Sequence, residues 1–86
     1  MINIEYEKID ETDEYVISKI TTDEKSVYLP NEYEDLKITK IGKDAFMNAT
    51  SIWVTNLPSF LNCIDIGAFY NCIDLIDVYY SNNKKD

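Results

Sequence analysis

The sequence has no histidine and only two cysteines, two glycines and two prolines in 86 residues. Without histidine, a serine or cysteine nucleophile lacks its usual general base, and no lysine flanks either cysteine to activate a thiolate. Gly42 and Gly67 stand singly, so no glycine-rich phosphate loop is present. Carboxylates are frequent, but they fall mainly in a segment expected to be exposed, where nothing would drive two acidities apart. These absences argue against an enzyme.

Metal and membrane sites are equally poorly provided for. Two cysteines without histidine cannot supply the four soft ligands of a zinc site, and both are expected to be unpaired thiols rather than a disulfide. Residues 10–13 (DETD) lack the glycine and the distal glutamate of a calcium loop. No run of 18 or more apolar residues exists, and no basic and apolar leader precedes Ile2. We predict no metal, no cofactor and no membrane contact, and a cytoplasmic location if Met1 is the native start.

The net charge of −8 is concentrated at one end of the chain. Residues 1–35 contain eleven acids and three lysines, whereas residues 36–83 contain four acids and three lysines. An acidic surface repels nucleic acid and attracts basic partners, although the same charges also serve a simple solubilising role. The candidate docking acids are Glu11, Asp13, Glu14, Asp23, Glu24, Glu32, Glu34 and Asp35.

The most informative feature present is a phrase that occurs twice, 23 residues apart. Residues 41–49 (IGKDAFMNA) return as residues 64–72 (IDIGAFYNC), and the offset continues from Ile52 to Leu75 and from Thr55 to Val78. A fixed period of this length is typical of solenoids, which are usually binding surfaces. Within each unit, the spacing predicts a helical or 3₁₀ turn with Phe46 or Phe69 inward, followed by a short strand.

The pattern I-x-x-x-A-F-x-N-(A/C) and its spacing resemble the BspA-type leucine-rich repeat over residues 26–82. Residues 29–46 resemble the first repeat of that family, which carries a few extra residues. Ala49, Asp65 and Ser81 depart from the family's Cys, Gly and Pro, but none replaces a large buried side chain. The resemblance implies a single α/β domain over residues 1–86. It would be a short right-handed solenoid, dominated by strands with single helical or 3₁₀ turns, of two to two and a half repeats (26–82) and a polar tail (83–86).

The two ends of such a stack differ. Residues 1–25 predict a capping β-hairpin, because Ile2, Ile4 and Tyr6 alternate with polar residues, residues 15–20 form a second β-type run, and residues 11–14 suit a turn. After Tyr80 only a polar tail remains, with nothing apolar to cover the last coil. Either the chain is a piece of a longer array, or the last strand pairs with another molecule, for instance in a homodimer through residues 78–80.

The outer face of the repeat strands is the candidate binding surface. The register predicts one column of Ser26, Val54 and Asp77 and a second column of Tyr28, Asn56 and Tyr79, with Trp53 beside them. Tyrosine and tryptophan are frequent at the energetic centres of interfaces. Trp53 could instead cover the flank of a neighbouring coil. The predicted partner-binding residues are Tyr28, Trp53, Val54, Asn56, Asp77 and Tyr79.

Three functions are consistent with these features. The first is a non-catalytic protein-interaction module whose partner has a basic surface, with no direct binding of nucleic acid. The second is a small acidic inhibitor, encoded by a phage or mobile element and anti-CRISPR-like, that occupies the basic nucleic-acid groove of a defence protein. The third is a piece of a bacterial surface adhesin, which would place the chain at the cell surface.

Overall fold

The computed structural model describes residues 1–47 and 49–80, and the statements below concern these residues. They form eight strands: β1 (Ile2–Lys8), β2 (Glu14–Thr22), β3 (Ser26–Val27), β4 (Glu32–Tyr33), β5 (Leu36–Ile41), β6 (Val54–Leu57), β7 (Cys63–Ile64) and β8 (Asp77–Tyr80). The described part of the chain has no helix, and so none that is long and apolar enough to cross a membrane. The fold is therefore strand-dominant.

The predicted N-terminal hairpin is present. β1 and β2 pair antiparallel with Ile4 opposite Ile20, and a β-bulge falls between Glu5 and Tyr6. Its inner residues Ile17 and Ile20 are fully buried, because the free edge of β2 pairs in parallel with β5 and brings the hairpin onto the first coil. The cap is therefore joined to the repeat by backbone hydrogen bonds as well as by apolar packing.

Gly42 makes this junction possible. Its N–H donates to the carbonyl of Ile17 at 2.9 Å. A Cβ at this position would lie 3.2 Å from Cγ1 of Val16 and 3.3 Å from the Ile17 oxygen, so any side chain would push the hairpin away.

The strands form two sheets. One contains β1, β2, β5 and β4 in that order, with β7 also paired to β5; the other contains β3, β6 and β8, all parallel. The spatial register equals the sequence period: Ile41 pairs with Ile64, and Val54 pairs with Asp77, each 23 residues later. The predicted repeat is thus a repeat in space.

The first coil is longer than the second. Ser26 pairs with Val54 at an offset of 28, five more than the period. The extra residues form β4, which pairs antiparallel with the start of β5 through a two-residue turn at Glu34 and Asp35. Both turn residues have positive φ, 51° and 68°, as a tight hairpin of this kind requires. This agrees with the longer first repeat predicted from residues 29–46.

A tyrosine cluster joins this small hairpin to the cap. The rings of Tyr6 and Tyr33 stack with centroids 3.8 Å apart, and Tyr15 meets Tyr33 edge to face at 5.0 Å. Burial raises the pKa of the Tyr6 hydroxyl, with a further contribution from Tyr33. All three rings pack against the core, so this cluster stabilises the fold.

Each coil contains turns where the sequence predicts a helical or 3₁₀ turn. The backbone bonds link residues three apart and repeat at the period of 23: Ala45 to Gly42, Met47 to Asp44 and Ala49 to Phe46, then Ala68 to Asp65, Tyr70 to Gly67 and Cys72 to Phe69. A helix does not form, since Asp44 and Gly67 occupy equivalent positions with φ of 58° and 74°, outside the right-handed region. The α/β class predicted from the sequence is thus corrected to strand-dominant.

The core runs along the stack. Phe46 is fully buried, and its ring stacks on that of Phe69 with centroids 4.6 Å apart and planes at 24°, as the repeat predicts. Phe69 is only partly buried, because no described residue follows it in the stack.

Candidate partner-binding surfaces

The three parallel strands β3, β6 and β8 present their residues in rows. At the strand starts, the carbonyl of Lys25 accepts hydrogen bonds from Trp53 and Val54, and the carbonyl of Trp53 accepts from Ile76 and Asp77. Lys25, Trp53 and Ile76 are therefore neighbours. The ammonium of Lys25 lies 4.5 Å from the Trp53 ring, which is a cation–π distance, and the ring remains exposed.

The next row contains Ser26, Val54 and Asp77, which pair in the predicted register. Ser26 and Asp77 are exposed and Val54 is half-buried. The alternate positions Val27 and Thr55 are buried, so this strand surface has a distinct inner and outer side.

The third row was predicted as Tyr28, Asn56 and Tyr79, and it differs from the prediction at Asn56. Tyr28 and Tyr79 are exposed, but Asn56 is fully buried. Its side-chain amide donates to the carbonyl of Leu29 at 2.9 Å and accepts from the Leu29 N–H. The amide thus pairs with the backbone of the preceding coil just beyond the end of β3, so Asn56 is not available for a partner.

The candidate docking acids lie in two separate groups. β2 and β5 run parallel, so their first residues meet at one end of the sheet, where Glu14 pairs with Lys37 and Lys37 pairs with Glu32. The group at this end, here called the acidic end, consists of Glu11, Asp13, Glu14, Glu32, Glu34 and Asp35. Asp23 and Glu24 follow the other end of the nine-residue strand β2, about 25–30 Å away.

These two groups differ in what they already bind. Glu24 and Asp23 contact the N-terminal ammonium of Met1 at 2.8 and 3.3 Å, and these carboxylates raise its pKa. At the acidic end, the carboxylate of Glu14 accepts a hydrogen bond from Thr39 at 3.0 Å. The remaining members of the acidic end are exposed, so this end carries most of the available negative charge.

The two cysteines are free, Cys63 exposed and Cys72 half-buried. The Cys72 thiol lies 3.5 Å from the carbonyl of Phe46, and burial raises its pKa, which favours an unreactive thiol that packs as a small apolar group. Among the described residues, no group of three or more acids or cysteines could hold a metal ion.

The structure also exposes apolar side chains that the residue-by-residue prediction missed. Ile66, Ile73 and Ile76 in the last coil are each about four-fifths exposed, and Tyr70 lies nearby in sequence. The sequence did contain a signal, since the period of 23 places Ile66 and Ile73 at the positions of Lys43 and Thr50 in the first coil.

Stacked coils with parallel strands in a 23-residue register define the leucine-rich-repeat fold. The structure is similar over 88% of the chain to the crystal structure of a leucine-rich-repeat protein from Treponema pallidum, with a TM-score of 0.84 and 24% sequence identity. The matched region spans 36% of the length of that protein. No family model matches the sequence, and no curated protein matches it. The likeness shows the fold, and the BspA type within it stays a prediction from the sequence.

Proposed function

We propose that this protein is a non-catalytic protein-interaction module, and that it binds a protein partner through the exposed side of the β3, β6 and β8 strands. The proposed contacts are Tyr28, Trp53, Val54, Asp77 and Tyr79, with Lys25 and Ile76 added from their place in the rows. Asn56 is left out because it is buried.

The observation that carries the proposal is the set of exposed aromatic side chains on a rigid parallel sheet. Tyr28 is 63% exposed although its neighbours Val27 and Leu29 are fully enclosed. Large aromatic side chains on a fixed backbone lose little entropy on binding and supply much contact area. The ladder bonds of β6 to both neighbouring strands hold these side chains in place before a partner arrives.

The test begins with affinity capture of proteins from the source organism on the tagged chain, followed by purification of the captured protein. Binding kinetics are then measured for the Tyr28→Ala/Tyr79→Ala double variant. We expect dissociation to be faster by at least tenfold with little change in association rate, because apolar contacts at an interface centre act mainly on dissociation.

Tyr70→Ala is the matched control. Tyr70 is 64% exposed, close to the 63% of Tyr28, but it lies in the turn of the last coil. It should bind like the unsubstituted chain. If Tyr70→Ala weakens binding and the double variant does not, the partner uses another surface and the strand-face proposal is wrong.

A second candidate function rests on the acidic end. Six acids from two turns converge there, a charge density suited to a basic groove that normally holds nucleic acid. Reversing Glu11, Asp13 and Glu34 to Lys should then slow association severalfold and reduce its salt dependence, without affecting folding. Competition between the chain and nucleic acid for the captured partner would favour this inhibitor function. Unchanged affinity after charge reversal would eliminate it.

A further inference from the structure

The last coil lacks the neighbour that the first coil has, and the repeat shows what is missing. Ile41 and Thr55 in the first coil are fully buried, whereas their counterparts 23 residues later, Ile64 and Val78, are 45% and 40% exposed. The equivalent side chains have changed from buried to exposed only because no described coil covers them. The same side chains would be buried again by anything that packs on this end.

The backbone repeats the observation. Phe46 donates its N–H to the carbonyl of Ala68 in the next coil, and the carbonyl of Trp53 accepts two N–H groups from it. The counterparts are the N–H of Phe69 and the carbonyl of Ile76, and neither has a hydrogen-bond partner among the described residues. The free edge of β8 adds further unpaired groups, since in the described structure it pairs only with β6.

The rim of this coil indicates more than a further coil of the same kind. Lys43 and Thr50 are exposed even though the next coil covers the first, so these positions face solvent in a continuing stack. In the last coil the same two positions hold Ile66 and Ile73, which are 82% and 81% exposed. An apolar residue at a position that stacking does not bury calls for a partner that reaches around the rim.

We propose that the open side of the last coil is a self-association interface, on which a second copy of this chain packs tail to tail. Its centre is Ile64, Phe69 and Val78, and its apolar rim includes Ile66 and Ile73. The proposal is independent of the strand-face function, because it uses the stack end rather than the exposed side of the sheet.

Charge favours a second copy in this orientation. Residues 1–35 carry the entire net charge of −8, and residues 36–83 carry only −1. Contact through the hairpins would bring two strongly acidic halves together, whereas contact through the last coils places them at opposite ends. The exposed Glu5, Glu7 and Lys8 on the edge strand β1 also discourage pairing there.

The available area agrees with a stable dimer. The molecule measures 35 × 30 × 24 Å, so a cross-section is roughly 600–800 Å² whichever axis the stack follows. That is close to the roughly 800 Å² per partner in stable interfaces. A two-fold arrangement would pair β8 with β8 of the second copy in an antiparallel ladder and match one apolar surface with itself.

Sedimentation of the whole chain in reductant, which prevents disulfides through the exposed Cys63, tests this directly. We expect a dimer of about twice the chain mass of 10.0 kDa. The Ile66→Lys/Ile73→Thr variant carries the residues of the first coil at the same positions, so it should fold and sediment as a monomer. Circular dichroism checks its folding, and Ile2→Lys, at an exposed isoleucine of the cap, should remain dimeric.

Two results would overturn the proposal. One is a monomeric chain at the highest soluble concentration, which would leave further coils or an unrelated partner as the cover of this end. The other is a dimer that persists in the folded Ile66→Lys/Ile73→Thr variant. Neither result bears on partner binding by Tyr28 and Tyr79, so failure here is distinguishable from failure of the strand-face function.

Discussion

Replacing Phe46 with alanine is expected to unfold most of the protein. The ring is fully buried, and it stacks on Phe69 at 4.6 Å. Truncating a buried phenylalanine costs about 3–5 kcal/mol, because the apolar contact is lost and a cavity remains. An 86-residue domain has a total free energy of unfolding of roughly 4–13 kcal/mol, so the variant retains little stability.

The same substitution at Phe69 should cost less. Phe69 makes the same stack but is only partly buried, so we expect about 1.5–3 kcal/mol from the lost stack and the smaller buried area. Both variants are best compared in the Ile66→Lys/Ile73→Thr background, where a dimer would not cover Phe69. The difference between the two costs measures how far each ring is enclosed.

Urea unfolding followed by Trp53 fluorescence supplies both free energies. Leucine at each position, and at both, completes a double-mutant cycle that keeps most of the apolar volume. The coupling between the rings should be about 0.5–1.5 kcal/mol. Equal costs for the two alanine variants, or no coupling in the leucine cycle, would show that the rings do not stack through the core and would refute the coil register.

Two further predictions concern the backbone of the coils. Asn56→Ala should lower the free energy of unfolding by about 2–4 kcal/mol, since it leaves both backbone groups of Leu29 without this partner, while Asn31→Ala, which removes one half-buried bond, should cost about 1 kcal/mol; equal losses in thermal unfolding would contradict this. Gly67→Ala should destabilise by about 1–2 kcal/mol, because φ is 74° and the new Cβ would lie 2.7 Å from the Asp44 carboxylate. Adding Asp44→Gly should recover part of that loss, and strict additivity of the two changes would argue against the contact.

The strand register could be predicted from the sequence because a copied unit copies its contacts. An offset of 23 between Ile41 and Ile64 became a strand pair, and the longer first coil followed from the extra residues before Ile41. The hairpin cap was equally predictable, since alternation over β1 reflects one buried face.

The rest depended on information that spacing does not contain. Alternation placed Asn56 on the outer face, but its amide replaces a ladder bond to Leu29, and such a side-chain bond overrides alternation. The predicted helical turn failed at Asp44, whose left-handed backbone a single sequence does not reveal. The acidic segment divided into two groups because β2 is long enough to separate its ends.

The central claim, that a partner binds the exposed side of β3, β6 and β8, is tested most directly by hydroxyl-radical footprinting with the captured partner. The rate of side-chain oxidation is compared between the free and bound chain for exposed aromatic residues of similar accessibility. The claim predicts that the partner protects Tyr28, Trp53 and Tyr79 and leaves Tyr70 unprotected. Protection of Tyr70 alone, or unchanged oxidation of all four aromatic residues, would contradict it.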